Sequence, residues 1–279
     1  MKPFHRILFF LILFPIACSA QIRGVVKDSL TGKPIPYVSI WVENESIGTT
    51  SEEDGSFRIN TNGNKTLIFS ALGYEKIKKA ILSENVILMV QKATELEEML
   101  IIPRKGTKIK EIGETENSLS EAFDNAPSID LKYFPYHESY KKTKFLKKVI
   151  IYTDTRIPEA LLKLHFYKVN PDGSPGIELL QDEYRVTVKQ GVGKSSFNIS
   201  DLGLTMPQNG IYIGFEKLMI DDNRNQGGRF YPLVLYNRVP RTFIFEYTGG
   251  KWQKKIVQSA AESTENKVYE PAINLLLTN

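Results

Sequence analysis

Gly48-Thr49-Thr50-Ser51-Glu52-Glu53-Asp54-Gly55-Ser56-Phe57 places a short strand on either side of a tight connection. Its Asp54-Gly55 pair suits a turn that needs positive φ, the commonest short-range hairpin signal. Working outward, Tyr37-Val38-Ser39-Ile40-Trp41-Val42 alternates with a two-residue period, so Val38, Ile40 and Val42 share one face. On the return side Phe57 and Ile59 point inward, and Leu67-Ile68-Phe69-Ser70-Ala71 reads as a central strand. Asn62-Gly63 and Gly73-Tyr74 supply further turns, and Ile22 to Lys27, Glu75 to Ile81, Asn85 to Val90 and Leu96 to Ile102 complete the set. Short strands spaced by turns predict a β-sandwich over residues 21–102.

The start of the chain predicts export. Lys2 and Arg6 precede an apolar run from Ile7 to Ala17, and Cys18-Ser19-Ala20 offers small residues before a cut at Gln21. That is the build of a signal peptide over residues 1–20. The apolar run falls short of the ~20 residues needed to span a bilayer, so no transmembrane span is expected in the mature chain. Cys18 raises lipidation as a rival, but Pro15 stands where a lipoprotein box carries a branched aliphatic residue. Cleavage at Gln21 removes the single cysteine, and with it any disulfide or thiol chemistry. Without Lys2 and Arg6 the 36 basic residues fall to 34 against 32 acidic ones. A near-neutral balance gives no electrostatic footprint for nucleic acid.

Several motifs of the first module recur in a known family. Gly24-Val25-Val26, Gly32-Lys33-Pro34-Ile35-Pro36-Tyr37-Val38-Ser39-Ile40, Gly48-Thr49-Thr50, Asp54-Gly55-Ser56-Phe57 and Phe69-Ser70-Ala71-Leu72-Gly73-Tyr74-Glu75 resemble the carboxypeptidase-regulatory-like domain. The resemblance implies a transthyretin-like, seven-stranded sandwich. It also implies a setting in the envelope of Bacteroidetes-type bacteria, where such domains extend the amino terminus of TonB-dependent receptors. The chain that follows is too short for a plug and a membrane barrel, which repeats many ~10-residue amphipathic strands. A zinc carboxypeptidase is excluded too, because neither His137 nor His165 has a glutamate three residues on.

Residues 103–140 read as a linker: Pro103-Arg104-Lys105-Gly106 breaks the β pattern, and Thr107 to Asn117 is charged. A short helical turn is expected over Ser118 to Phe123, with Ser118 as its cap. Residues 141–279 read as a second, jelly-roll-like sandwich. Its clearest strand sets Leu162, Leu164 and Phe166 against Leu161, Lys163, His165 and Tyr167. This half resembles, more loosely, the region that follows the same domain in small envelope proteins.

The overall expectation is all-β, with two β-sandwiches joined by a flexible tether. No catalytic set and no cofactor is expected: Ser195-Ser196 lacks a nucleophile elbow, and His165 reads as a packing residue within a strand. The expected work is non-enzymatic binding of a glycan or an envelope protein, at the cell surface, in the periplasm or on the outer membrane. The competing expectations are a structural spacer and a hydrolase with an unrecognised site. Candidate ligand contacts are Trp252, whose ring could stack on a sugar, the aromatic run holding Tyr136 and His137, and Asp221 and Asp222 in a polar loop with oxygens suited to calcium.

Overall fold

The computed structural model describes residues 20–81, 85–93, 106–113, 121–123, 127–239, 243–256 and 268–279. The expected leader with Cys18, the expected strand over 96–102 and the helical cap at Ser118 lie outside the described residues. No α-helix occurs among the described residues, so none is long and apolar enough to cross a membrane.

The first module has strands β1 (Ala20–Asp28), β2 (Ser39–Val42), β3 (Gly48–Thr50), β4 (Ser56–Thr61), β5 (Lys65–Ser70), β6 (Ile77–Ile81) and β7 (Asn85–Met89). They form two sheets, β4-β1-β7 and β3-β2-β5-β6, the first carrying one parallel pairing between β1 and β7. The expected sandwich is therefore present. Val26, Val38, Ile40, Phe57, Ile59, Leu67 and Phe69 fill its core, with Phe57 and Phe69 edge to face at 5.6 Å. Gly55 has φ +75, and a Cβ there would meet the Val26 carbonyl at 2.6 Å, so the hairpin turn depends on glycine.

The remaining strands are β8 (Ile109–Ile112), β9 (Glu121–Phe123), β10 (Ile129–Phe134), β11 (Phe145–Val169), β12 (Pro175–Glu178) and β13 (Tyr184–Asn198). They continue with β14 (Ile211–Lys217), β15 (Leu233–Val239), β16 (Phe243–Thr248), β17 (Lys251–Ile256), β18 (Val268–Pro271) and β19 (Ile273–Thr278). All belong to one twelve-stranded set of pairings organised around β11. This strand pairs with β12, β13, β14, β15 and β19, and its register shifts between Thr155 and Glu159. Pro158 lies in that interval and lacks the N–H a regular ladder needs. Leu162, Leu164 and Phe166 enter the core with Ile213, Phe215 and Leu275, which leaves Lys163, His165 and Tyr167 on the opposite face.

Two sequence expectations are corrected. Residues 103–140 are not a linker throughout, because β8 pairs with β19, β9 pairs with β15, and β10 lies between β14 and β16. Residues 121–123 are strand where a helical turn is expected. Both charged residues of β10 are buried, each with a partner more than a hundred positions later. Asp130 accepts from Tyr236 and from Ser128, and Lys132 lies 3.0 Å from Glu270.

Nor are the two modules separately tethered bodies. Trp41 and Ile68, on the outer face of the first sandwich, pack with Ile129, Leu131, Tyr212, Phe245 and Tyr247 of the second. A backbone hydrogen bond from Asn44 N to Gly249 O and a bond from Met219 N to Thr50 Oγ1 also cross the boundary. Burial of this aromatic surface gives the junction the character of a domain core.

Candidate functional site

A cleft of about 230 Å³ opens where the two modules meet. The first module supplies Ser39 and Trp41 from β2, Ser70 from β5, and Lys76. The second supplies Lys163, His165 and Tyr167 from β11, Glu178 from β12 and Glu216 from β14, together with Glu183, Tyr247 and Trp252. Strand alternation explains the convergence. The face of β11 that turns away from its own core turns toward the first module, and the apolar Leu162-Leu164-Phe166 set anchors it there.

The polar groups form a connected network. His165 lies 3.0 Å through Nδ1 from Glu178 and 3.2 Å through Nε2 from Glu216. The Phe166 N–H donates to the other Glu178 oxygen at 2.6 Å, and Ser39 Oγ donates to Glu216 at 2.5 Å. Lys163 Nζ donates to Glu183 at 2.6 Å and to the Tyr37 carbonyl at 2.5 Å. Burial alone would lower the His165 pKa, but hydrogen bonds and charge from Glu178 and Glu216 outweigh it and push it up to about 9. Burial would raise the Glu216 pKa, but the charge of Lys163, then His165 and the Ser39 hydroxyl, hold it down to about 2. At neutral pH His165 is thus an imidazolium whose two N–H groups both face carboxylates. A general base needs an unprotonated nitrogen within reach of substrate, and His165 offers none.

Aromatic rings line the other side. Trp252 sits edge to face with Tyr167 and with Tyr247, each at 5.1 Å, and Trp41 meets Tyr247 at 5.8 Å. Lys76 donates to the Tyr247 hydroxyl at 2.7 Å, and that hydroxyl donates to Gly250 O. The Trp41 indole N–H is buried and has no acceptor among the described residues.

Of the residues singled out from sequence, Trp252 lines the cleft. Tyr136 and His137 do not; they cluster with Tyr140, at 6.3 and 5.7 Å between ring centres, and His137 caps a 3-10 turn through Ser139 N. Asp221 and Asp222 line a separate shallow groove with Glu52, Glu53 and Asp54. There Asp221 pairs with Arg58 at 2.5 Å and its N–H reaches Glu52. Among the described residues no group of His, Cys, Asp and Glu side chains could hold a metal ion. His165, read as a packing residue, is instead the centre of the polar network, and Lys163, Glu178 and Glu216 were not foreseen. The available signal was the run Lys163-x-His165-x-Tyr167 on one face of a strand whose other face carries Leu162, Leu164 and Phe166.

Comparison with known proteins agrees on the first module. Residues 22–101 match the family described as the CarboxypepD_reg-like domain. The chain is 24% identical over 93 residues to the TonB-dependent receptor SusC of Bacteroides thetaiotaomicron, covering 33% of this chain and 9% of that protein. It is 30% identical over 128 residues to the TonB-dependent receptor P3 of Formosa agariphila, covering 43% of this chain and 13% of that protein. The chain thus spans about a tenth of the length of these curated relatives. A crystal structure from Bacteroides uniformis, of a protein provisionally assigned to carbohydrate binding, aligns over 94% of this chain and 99% of its own. Its identity is 12% and its TM-score 0.21, and at that score the likeness carries no argument.

Proposed function

We propose that this chain is a non-enzymatic binding module of the cell envelope, and that its ligand, a glycan, is bound in the cleft between the two sandwiches. The observation that carries the reading is the cleft itself, which sets the rings of Trp252, Tyr167 and Tyr247 beside a paired set of charged groups. Apolar walls with a few placed polar groups are the usual make-up of a small-ligand site. The match to a domain shared with TonB-dependent receptors supports an envelope setting, as does the signal peptide expected from residues 1–20.

Hydrolysis is the competing reading, favoured by the two glutamates on either side of His165. The engagement of both ring nitrogens argues against it. A spacer role fits less well, because Ser39, Trp41 and Lys76 of the first module form one wall of the cleft. The mature chain should retain material on a glycan array and show no turnover of chromogenic glycosides or esters. A blank array together with an empty crosslinking pull-down from envelope fractions would refute the binding reading, and steady turnover lost in Glu216→Gln would establish the hydrolase instead.

A further inference from the structure

We infer that the junction cleft is a subsite for one uncharged sugar ring, stacked on the Trp252 aromatic group and hydrogen-bonded by Lys76 and Glu183. The inference rests on the binding-module reading and names the ligand class for the same site.

Size comes first. A space of about 230 Å³ lies below the ~300–1,000 Å³ of pockets that take drug-sized ligands. It suits a single ring.

Charge comes second. Lys76, Lys163 and His165 face Glu178, Glu183 and Glu216, so the lining balances cations against anions. The deepest of these groups already neutralise one another at 2.6 to 3.2 Å. A cation entering such a site would find its carboxylates already paired, and an anion would find only Lys76, which is held to the Tyr247 hydroxyl, so the loss of hydration is costly for either. A neutral ligand meets no such penalty.

Hydrogen-bonding capacity comes third. Lys76 uses one of its N–H groups on Tyr247, and an ammonium carries more. Glu183 gives one oxygen to Lys163, and a carboxylate has acceptor sites to spare. The cleft therefore presents donors and an acceptor side by side with an aromatic wall. Hydroxyl groups that both donate and accept, on a ring with an apolar C–H face, match that arrangement.

The test uses the full mature chain from Gln21, with saturation-transfer NMR and intrinsic tryptophan fluorescence as readouts. The probes are the methyl glycosides of glucose, galactose, mannose and N-acetylglucosamine, with glucuronate and glucosamine as charged counterparts. At least one neutral glycoside should saturate. Trp252→Ala should weaken it roughly tenfold, Trp252→Phe should retain most of the affinity, and Lys76→Met should weaken it by a smaller factor. His137→Ala, outside the cleft, should change nothing. A charged sugar that outcompetes every neutral one, or equal binding by wild type and Trp252→Phe, Trp252→Ala and Lys76→Met, would overturn the inference. If no monosaccharide saturates while an array or pull-down finds a Trp252-dependent partner, the sugar-ring assignment falls and the binding-module reading stands. If those also come back empty, both fall.

Discussion

Lys163 donates a 2.5 Å hydrogen bond from the second module to the backbone carbonyl of Tyr37 in the first, while its side chain is 2% exposed. One buried ammonium thus holds the boundary between the sandwiches and also neutralises Glu183 and Glu216, at 2.6 and 4.0 Å.

Replacing it tests that double role. Lys163→Met keeps the volume but leaves the buried carboxylates uncompensated, and breaking one half of a buried pair costs about 3–5 kcal/mol. Urea unfolding should show that loss. A double variant, Lys163→Met with Glu183→Gln, should recover part of it, because the nearest carboxylate left without its partner is then uncharged.

An exposed ion pair at the same boundary should behave differently. Arg58 and Asp221 lie 2.5 Å apart but remain 54% and 59% exposed. Solvent screening limits such pairs to about 0–1 kcal/mol. Arg58→Ala should shift the unfolding midpoint by no more than about a third of the Lys163→Met effect, measured under the same conditions.

Stability should peak in a defined pH window. His165 has its pKa raised from 6.5 to about 9, so its contribution is complete below 6.5 and disappears as pH rises through 9. Glu216 has its pKa lowered from 4.5 to about 2, so its contribution is complete above 4.5 and disappears as pH falls toward 2. Both contributions are whole between pH 4.5 and 6.5. Thermal melts should therefore fall on either side of that interval, by on the order of a few kcal/mol in total. In His165→Gln the alkaline slope should flatten while the acid slope persists in reduced form.

Gly250 should not tolerate a side chain. It has φ +84, and a Cβ would approach the Ile68 Cδ1 to 2.1 Å. Ile68 is 2% exposed and belongs to the aromatic cluster at the junction, so it has little room to move. Gly250→Ala combines backbone strain with overpacking and should cost about 2–4 kcal/mol. Limited proteolysis should then cut near the module boundary under conditions that leave the wild type whole.

The first sandwich was legible because its alternation is clean. In β4, Phe57 and Ile59 are buried and Arg58 and Asn60 exposed, and the glycines fall at its turns. The domain boundary was not legible. Ile129-Asp130-Leu131-Lys132-Tyr133-Phe134 looks like an ordinary half-exposed segment, yet its charged face is buried by Tyr236 and Glu270, more than a hundred positions later. Nothing local announces such partners. The site was hidden for a related reason. Trp41 reads as the outward residue of a strand, and only the docking of the second module turns that outer face into an interior one. Trp252 could be chosen on residue type alone, whereas Lys163, Glu178 and Glu216 acquire meaning only when three strands align.

The position of β10 carries a mechanical consequence. β8 is already paired with β19 before β10 enters between β14 and β16, so the chain that follows the first sandwich is stitched into the second at more than one place. Drawing the amino-terminal sandwich away must also part Trp41 from Tyr247, whose rings meet across the junction.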